Sequence, residues 1–303
     1  MAFSATDAAF EGFRLVRRNP IALVAWALLY AVLSLTALFA MSTAIDPLIA
    51  WSEMAEAMEA GSPTPEEVGQ LFQTFGAVLL RVVWLAPLGL LVSAMLYAAV
   101  ARGVLEPGAR SFGYLRLGMD EWRVLVVSLV LSILMGLLCF VVMVLIGLIA
   151  GVSAASGANW GWLVGLLAGL AGLALIVWLA VRLSLAVPIT VAEKRMAFFD
   201  SFAMTRGRFW PLFGMAIIAL VMTLIIGLLA SIVTMPLAMM SGLESWNFGA
   251  HSDPEIIRAA LDVSNPWVIA SAVVDAIVSA LTVGVLYAPF AAAYLGLKST
   301  PTA

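Results

Sequence analysis

Six long stretches of apolar residues constrain the fold of this 303-residue chain more than any other feature of its sequence. They cover residues 21–41, 77–100, 125–148, 162–187, 212–235 and 268–295. Each is about as long as the ~20 residues that an α-helix needs to cross the hydrocarbon core of a bilayer. Hydrophobic residues make up 64% of the chain and charged residues 11%, whereas soluble domains average roughly 45–50% and 25%. We therefore expect a single all-α integral membrane domain over residues 1–303, with six transmembrane helices rather than a β-barrel.

The basic residues predict the orientation of these helices, because cytoplasmic loops of membrane proteins are enriched in Lys and Arg. Basic residues lie before the first run, between the second and third, between the fourth and fifth, and after the sixth. The other loops contain one basic residue, Arg258, and are mostly acidic, so we expect both termini in the cytoplasm. In the first acidic loop, apolar spacing predicts an amphipathic helix over residues 47–60. Capping signals at Thr64-Pro65-Glu66-Glu67 predict a second helix, and they recur at Asp253-Pro254-Glu255.

Three short segments of similar sequence precede the odd-numbered runs: GFRLVR from Gly12, SFGYLR from Ser111 and SFAMTR from Ser201. They start about 90 to 100 residues apart, and each is followed by two apolar runs. This spacing predicts three pseudo-repeats, over residues 1–105, 106–194 and 195–303. Each repeat would consist of an amphipathic cytoplasmic helix followed by a transmembrane hairpin.

In each segment an arginine follows a phenylalanine by four residues, which places both on the same side of a helix. In the second copy, Leu115, Met119 and Trp122 extend Phe112 into a full apolar stripe. Such a helix can lie in the headgroup layer with its arginine toward lipid phosphate, or it can pack against the helix ends. The sequence leaves both alternatives open. The candidate lipid-headgroup contacts are Arg17, Arg116, Arg182, Arg206 and Arg208.

The passage VRLSLAVPITVAEKRMAFFDSFAMTRGRFWPLF, residues 181–213, resembles part of a group of bacterial six-helix inner-membrane proteins. The group includes the YciC-like family and the membrane domain attached to some glycerophosphodiester phosphodiesterases. The resemblance implies a six-helix fold over nearly the whole chain and a location in the bacterial inner membrane. It does not imply phosphodiesterase activity, because catalysis in the fused proteins belongs to a separate soluble barrel that we do not find in these 303 residues. The residues that carry the resemblance are Arg182, Pro188, Glu193, Ser201, Arg206 and Trp210.

Two ionisable residues lie within apolar runs, Arg81 in the second and Asp275 in the sixth. Burying such a group in a membrane without a partner is costly. A rise of 1.5 Å per residue puts both on the outward side of the midplane, on the order of 10 Å from it. They form a candidate intramembrane polar pair, which either lines a substrate or proton path or is a structural ion pair. Alternatively, Arg81 extends to the outer surface.

Arg182 lies near the cytoplasmic end of the fourth run, six residues before Pro188. It either extends to the inner headgroups or bonds carbonyls that the proline leaves free, or it binds lipid phosphate together with Arg206 and Arg208. We expect Pro87 to bend the second helix in a similar way.

Glycines at intervals of four, Gly161, Gly165 and Gly169, allow the fourth helix to approach a neighbour closely. They predict a tight central hairpin of the third and fourth helices, and a dimer contact is the alternative.

The sequence contains no catalytic signature, no glycine-rich phosphate loop and no Cys or His spacing typical of a metal site. The one histidine, His251, lies in an outward loop. We therefore predict a non-enzymatic membrane protein without metal or cofactor, whose partners are lipids and either a second copy or another membrane protein. The basic residues do not indicate nucleic-acid binding. The alternatives are a small-solute or lipid transporter that uses Arg81 and Asp275, and an intramembrane enzyme.

Overall fold

Helix is the only regular secondary structure among the residues that the computed structural model describes, 4–59, 61, 64–108, 112–156, 161–241 and 254–299. This confirms the all-α fold class for that part of the chain. One 3₁₀ turn, Phe112–Tyr114, accompanies the α-helices. The α-helices are α1 (Ala5–Ala9), α2 (Glu11–Arg18), α3 (Pro20–Thr43), α4 (Ile45–Glu59), α5 (Pro65–Val82), α6 (Leu85–Leu105), α7 (Met119–Ser156), α8 (Gly161–Leu183), α9 (Ala186–Glu193), α10 (Asp200–Met204), α11 (Phe209–Ser241), α12 (Pro254–Ala260) and α13 (Pro266–Lys298).

Six stretches of helix within the described residues are long and apolar enough to cross a membrane, as the sequence predicted. The fourth combines α8 and α9, and each of the others is a single helix. They are Pro20–Thr43, Leu85–Leu105, Met119–Ser153, Trp162–Glu193, Phe209–Ser241 and Pro266–Lys298. The chain therefore has the helices of a multi-pass membrane protein.

In two of the six candidate spans, a turn comes directly before a helix whose third residue is proline. Pro87 is the third residue of α6, and Val83 and Trp84 form a turn before it. A proline ring clashes with the carbonyl four residues earlier, which is that of Val83, and removes one helical hydrogen bond, so the proline disfavours a continuous helix through this point. The result is a break between α5 and α6 rather than the bend that we expected within one helix. Pro188 has the same position in α9, after a turn that separates α9 from α8.

The chain divides into two compact units, each of which combines segments distant in sequence. The first unit contains Met1–Leu15, Ala94–Leu220 and Val285–Ala303, and the second contains Val16–Ser93 and Val221–Gly284. These limits do not coincide with the predicted repeat boundaries, and the repeats stay a prediction. In the first unit, α1, the α8–α9 segment, the start of α11 and the end of α13 share one apolar cluster. Its buried members are Ala8, Ala9, Val181, Leu185, Ile189, Ala197, Leu212, Met215, Ala293, Tyr294 and Leu297.

In the second unit, α4, α5 and α12 pack together beyond the end of α3. Thr64 caps α5 in a reciprocal capping box with Glu67, which confirms the helix predicted from that motif. The amphipathic helix expected over residues 47–60 is also present, as α4. α12 begins at Pro254, and Asp253 lies outside the described residues. The buried residues that join these helices are Ala44, Leu48, Ile49, Val78, Ile257 and Leu261.

The three Phe–Arg segments do not share one backbone conformation. The first is helical throughout, within α2. In the second, Gly113 and Tyr114 have φ angles of 63° and 58°, so the predicted helical stripe from Phe112 to Trp122 is wrong. Left-handed backbone cannot continue an α-helix, and α7 begins only at Met119. In the third, α10 ends at Met204, before Arg206.

The hairpin of α7 and α8 depends on one close approach. A Cβ at Gly172 would lie 2.5 Å from Cγ1 of Val142, whereas the space at Gly165 is open. The predicted pairing of these helices is therefore present: a Cβ at Gly169 would lie 3.7 Å from Ile146 of α7, and the tightest approach is at Gly172, which was not predicted. None of the residues in the most apolar window of α7 is buried, and the central position expected for the hairpin stays a prediction.

Candidate functional site

Arg182, at the end of α8, is bound to the chain on three sides. Its Nη1 donates to the carbonyl oxygen of Phe202 and to Oγ1 of Thr205, both at 3.2 Å. The guanidinium carbon lies 5.5 Å from the centre of the Trp178 ring and 5.6 Å from that of Phe202, both within cation–π range. The carbonyl that it bonds belongs to α10 and is not one freed by Pro188. The arginine therefore holds α10 against the end of α8, within the fourth candidate span.

Ser201 occupies the break between α8 and α9 and is fully buried. Its hydroxyl accepts a hydrogen bond from the amide of Leu185 at 3.2 Å and donates one to the carbonyl of Arg182 at 2.5 Å. A helix that breaks at a proline leaves backbone groups without their usual partners. One side chain from the SFAMTR segment thus satisfies a donor and an acceptor that the break exposes.

Eight arginines near these helix ends fall into two classes, those paired with carboxylates and those without an ion pair. Four arginines in the first unit are paired with carboxylates: Arg14 with Asp7 and Glu11, Arg102 with Glu121, Arg123 with Asp120, and Arg195 with Glu193 and Asp200. Hydrogen bonds to those carboxylates raise the pKa of Arg14 and of Arg195. These four therefore carry neutralised charge.

The second class consists of Arg17, Arg116, Arg206 and Arg208, for which no ion pair is found among the described residues. The first three are exposed and Arg208 is half-buried. They are four of the five arginines that the sequence indicated as headgroup contacts. The fifth, Arg182, is bonded within the fold, to the carbonyl oxygen of Phe202 and the hydroxyl of Thr205.

Large apolar side chains are exposed close in sequence to these unpaired arginines. Trp210 is 75% exposed, two residues after Arg208, and Phe112 is 62% exposed, four residues before Arg116. Other exposed side chains in these lead-in segments are Phe13, Leu117, Met119, Trp122, Met196 and Phe199. Aromatic rings and arginines side by side on an exposed surface are typical of a membrane–water interface.

Arg81 and Asp275 are not joined by an ion pair or a hydrogen bond within the described residues. Arg81 lies at the end of α5, before the second candidate span begins at Leu85, and its Nη1 donates to the carbonyl of Thr43 at 2.5 Å. Asp275 is exposed on α13. Their proposed joint role stays a prediction.

Sequence reasoning missed the ion pair between Arg102 and Glu121, both less than 4% exposed. Arg102 also donates to the carbonyl of Tyr114 at 2.9 Å. The pair therefore holds the segment between α6 and α7 against the end of α6. Gly103 allows this, because a Cβ there would lie 2.9 Å from Leu15 and 3.4 Å from Tyr114. The available signal was an arginine within an otherwise apolar turn, Ala98 to Leu105.

The repeated tripeptide Leu-Tyr-Ala brings two of the spans together. Tyr97 of α6 and Tyr287 of α13 have ring centres 4.2 Å apart, and their hydroxyl oxygens are 3.1 Å apart. The two tyrosines stand at corresponding positions of similar helix ends, so the likeness of sequence corresponds here to a contact. This contact agrees with a relation between α6 and α13, the second and sixth candidate spans, and the three repeats stay a prediction.

Within the described residues, no three His, Cys, Asp or Glu side chains are placed to hold a metal ion. His251 lies outside those residues. The expectation of a protein without metal or cofactor therefore stays a prediction.

The family described as a domain of unknown function, DUF7847, matches residues 5–297. The chain belongs to this family. No curated protein matches it, and no solved structure does. Nothing in these comparisons links the chain to YciC-like proteins or to phosphodiesterase membrane domains, so that resemblance stays a prediction.

Proposed function

We propose that this DUF7847 protein is a non-enzymatic, multi-pass protein of the bacterial inner membrane that binds anionic lipid headgroups at its cytoplasmic face. Both termini would lie in the cytoplasm. The contacts would come from Arg17, Arg116, Arg206 and Arg208. A second copy or another membrane protein is an additional expected partner.

The observation that carries the proposal is the division of the arginines into paired and unpaired classes. An arginine paired with a carboxylate is part of a neutral pair and has some of its N–H groups already bonded, whereas each of the four unpaired guanidiniums has all five N–H donors available to a phosphate. The exposed aromatic and aliphatic side chains beside them would contact the boundary between headgroups and acyl chains. Attraction between one arginine and an anionic bilayer surface is worth about 1 kcal/mol, or roughly a fivefold preference.

Spin-labelled lipids test the preference. The purified chain is placed in phosphatidylcholine bilayers with a trace of labelled phosphatidylglycerol or labelled phosphatidylcholine, and the protein-bound fraction of each is measured by electron spin resonance. Replacement of both Arg206 and Arg208 by Gln should lower the relative association of phosphatidylglycerol several-fold. The matched control is Arg195→Gln with Arg14→Gln, which removes the same formal charge from arginines that are already paired. Equal losses in the two double variants would contradict the proposal.

The orientation needs a separate measurement. With Cys139 replaced by Ala, single cysteines at positions 13, 112 and 202 should all react with a membrane-impermeant maleimide only in inside-out vesicles. Reaction of any one of them in right-side-out vesicles would refute the common cytoplasmic location of the three segments.

A transporter is the second candidate, and the exposed carboxylate of Asp275 on α13 favours it. Arg81 would contribute less than we expected, since it is bonded to the end of α3. The test is proton or solute flux into proteoliposomes that contain the protein, with Asp275→Asn as the comparison. A flux that the substitution abolishes would support transport, and an absence of flux would leave the lipid-binding function.

A further inference from the structure

Helix α5 carries an exposed apolar stripe that neither the candidate spans nor the unpaired arginines explain. Phe72 is 70% exposed, Leu79 46% and Val83, just beyond its end, 57%, and Leu80, 78% exposed, borders the stripe on the side of Gln73. Positions 72, 79 and 83 follow the i, i+7, i+11 spacing of one helix face. Gly76, between them on this face, has no atom within 4 Å of an added Cβ. The stripe is therefore open along its whole length.

The remaining two sides of α5 have different surroundings. One packs against α4 and the end of α3: Val78 is buried in the second unit's cluster, and the Phe75 ring lies 5.9 Å from that of Trp51. The other is polar and exposed, with Glu66, Gln70 and Gln73. A helix at a boundary between water and lipid requires three faces. One packs against protein, one is polar and faces solvent, and one is apolar and not covered by the chain.

The position of α5 along the chain indicates which boundary this is. Arg81, in its last turn, bonds the carbonyl of Thr43, the last residue of the first candidate span. Leu85, four residues later, is the first residue of the second span. The C-terminal end of α5 therefore lies at the level where two spans leave the hydrocarbon. Trp84, 44% exposed, lies at this level, as tryptophans at membrane surfaces commonly do.

We propose that α5 is an interfacial helix, tilted so that its stripe from Phe72 to Val83 rests in the headgroup–acyl boundary on the Thr43 side of the membrane. The length of the helix distinguishes this tilted position from a perpendicular one. Phe72 precedes Arg81 by nine residues, about 13 Å of helix, whereas the headgroup layer is only about 5–8 Å thick. If α5 continued the second span perpendicular to the membrane, Phe72 would stand in water.

The charge of α5 further defines the lipid that it contacts. The described residues of α5 carry acidic side chains at Glu66 and Glu67, and the one basic side chain, Arg81, is bonded to the chain itself. Contact should therefore depend on apolar burial and show no preference for anionic lipid. This distinguishes the stripe from the arginines of the proposed function, with which it shares only the insertion of the six spans.

Depth-dependent quenching tests the proposal in the full chain. In a Cys139→Ala background, single cysteines at positions 72 and 79 of the stripe, and at 70 and 73 as controls, are labelled with a small fluorophore in phosphatidylcholine nanodiscs. All four positions are exposed. Nitroxides attached near the lipid headgroup should quench the labels at 72 and 79 at least two- to threefold more than those at 70 and 73, and aqueous iodide should show the reverse order.

Two outcomes would overturn the proposal. Quenching at 72 by iodide but not by lipid nitroxide would mean that α5 extends into water, and quenching by neither would mean that protein, such as a second copy, covers the stripe. Adding phosphatidylglycerol should leave the pattern unchanged, so failure here is distinguishable from failure of anionic-lipid binding. As a check without substitutions, a photoreactive lipid with its diazirine near the headgroup should label the unsubstituted chain within residues 72–83. Labels confined to α6 would argue against the interfacial position.

Discussion

Replacing Ser201 by Ala tests the fastening of α10 across the break in the fourth span. The substitution removes one hydroxyl and leaves two backbone groups without a partner, the amide of Leu185 and the carbonyl of Arg182. The site is closed to solvent, because Ser201, Leu185 and Thr205 are all fully buried. Water therefore cannot replace the lost bonds without opening the packing around α10.

The expected loss follows from the two orphaned groups. An unsatisfied buried donor or acceptor costs about 1–3 kcal/mol. Allowing for relaxation of the helix ends, we expect a total of about 2–4 kcal/mol, since partial rotation of the two peptide groups recovers some of it. Because 1.4 kcal/mol corresponds to a factor of ten, the ratio of folded to unfolded protein should fall at least about 30-fold.

The measurement is an equilibrium denaturation of the purified chain in mixed micelles, followed by tryptophan fluorescence. Ser231→Ala is the matched control, because the Ser231 hydroxyl is exposed and bonds only a carbonyl of its own helix, that of Leu228. We expect the control to change stability by less than about 0.5 kcal/mol. If Ser201→Ala were as mild as this control, the hydroxyl would not be satisfying the backbone at the break, and the reasoning would be refuted.

Three further predictions concern packing, charge and pH. Gly172→Ala should destabilise the α7–α8 hairpin by about 1–3 kcal/mol in the same denaturation assay, and adding Val142→Ala should restore stability, because Cγ1 of that valine is the obstructing atom. Arg102→Met or Glu121→Leu alone should lower stability by about 3–5 kcal/mol in a thermal unfolding measurement, because each leaves one buried charge without its partner. The double variant should recover most of this loss. A double variant as unstable as the two single variants would argue against a buried pair. Hydrogen bonds from the N-cap residue hold the pKa of Glu67 below its ordinary value of 4.5, so its contribution to α5 persists at neutral pH and is lost only as the pH falls below that value. Amide exchange at the start of α5 should therefore differ between the wild type and Glu67→Gln at about pH 6, and the difference should shrink as the pH falls below 4.5.

Much of the helical framework follows from local sequence. Runs of apolar residues predicted all six candidate spans, because the length of such a run is itself the physical requirement for crossing a bilayer. The capping box at Thr64 predicted the start of α5, since its hydrogen bonds involve residues only three apart. Positive φ angles at Gly113 and Tyr114 were not predictable, because nothing in SFGYLR excludes a helix more strongly than GFRLVR does.

The candidate site was predicted less completely, because its contacts join residues distant in sequence. The sequence identified the arginines that could bind lipid headgroups, but it did not show which of them are already bonded within the chain. Arg182 and Thr205 are 23 residues apart, and Arg102 and Glu121 are 19 apart across a non-helical segment. No periodicity in the sequence predicts contacts between residues so far apart. Only the structure shows which arginines are paired with carboxylates.

The exposed surface of α7 affects how freely its sequence can vary within the family. Since no residue in its most apolar window is buried in the chain, the side chains that do not face α8 would contact acyl chains in a bilayer, which are as apolar as leucine and have no fixed shape to match. Exchanges among Leu, Ile, Val and Met should be nearly neutral there, except where Val142 meets Gly172. Natural variation in this helix should therefore preserve its apolar composition but not the order of its apolar residues. When distant members of the family are aligned, α7 should be the span whose residue identities have drifted furthest while its hydropathy has stayed the same.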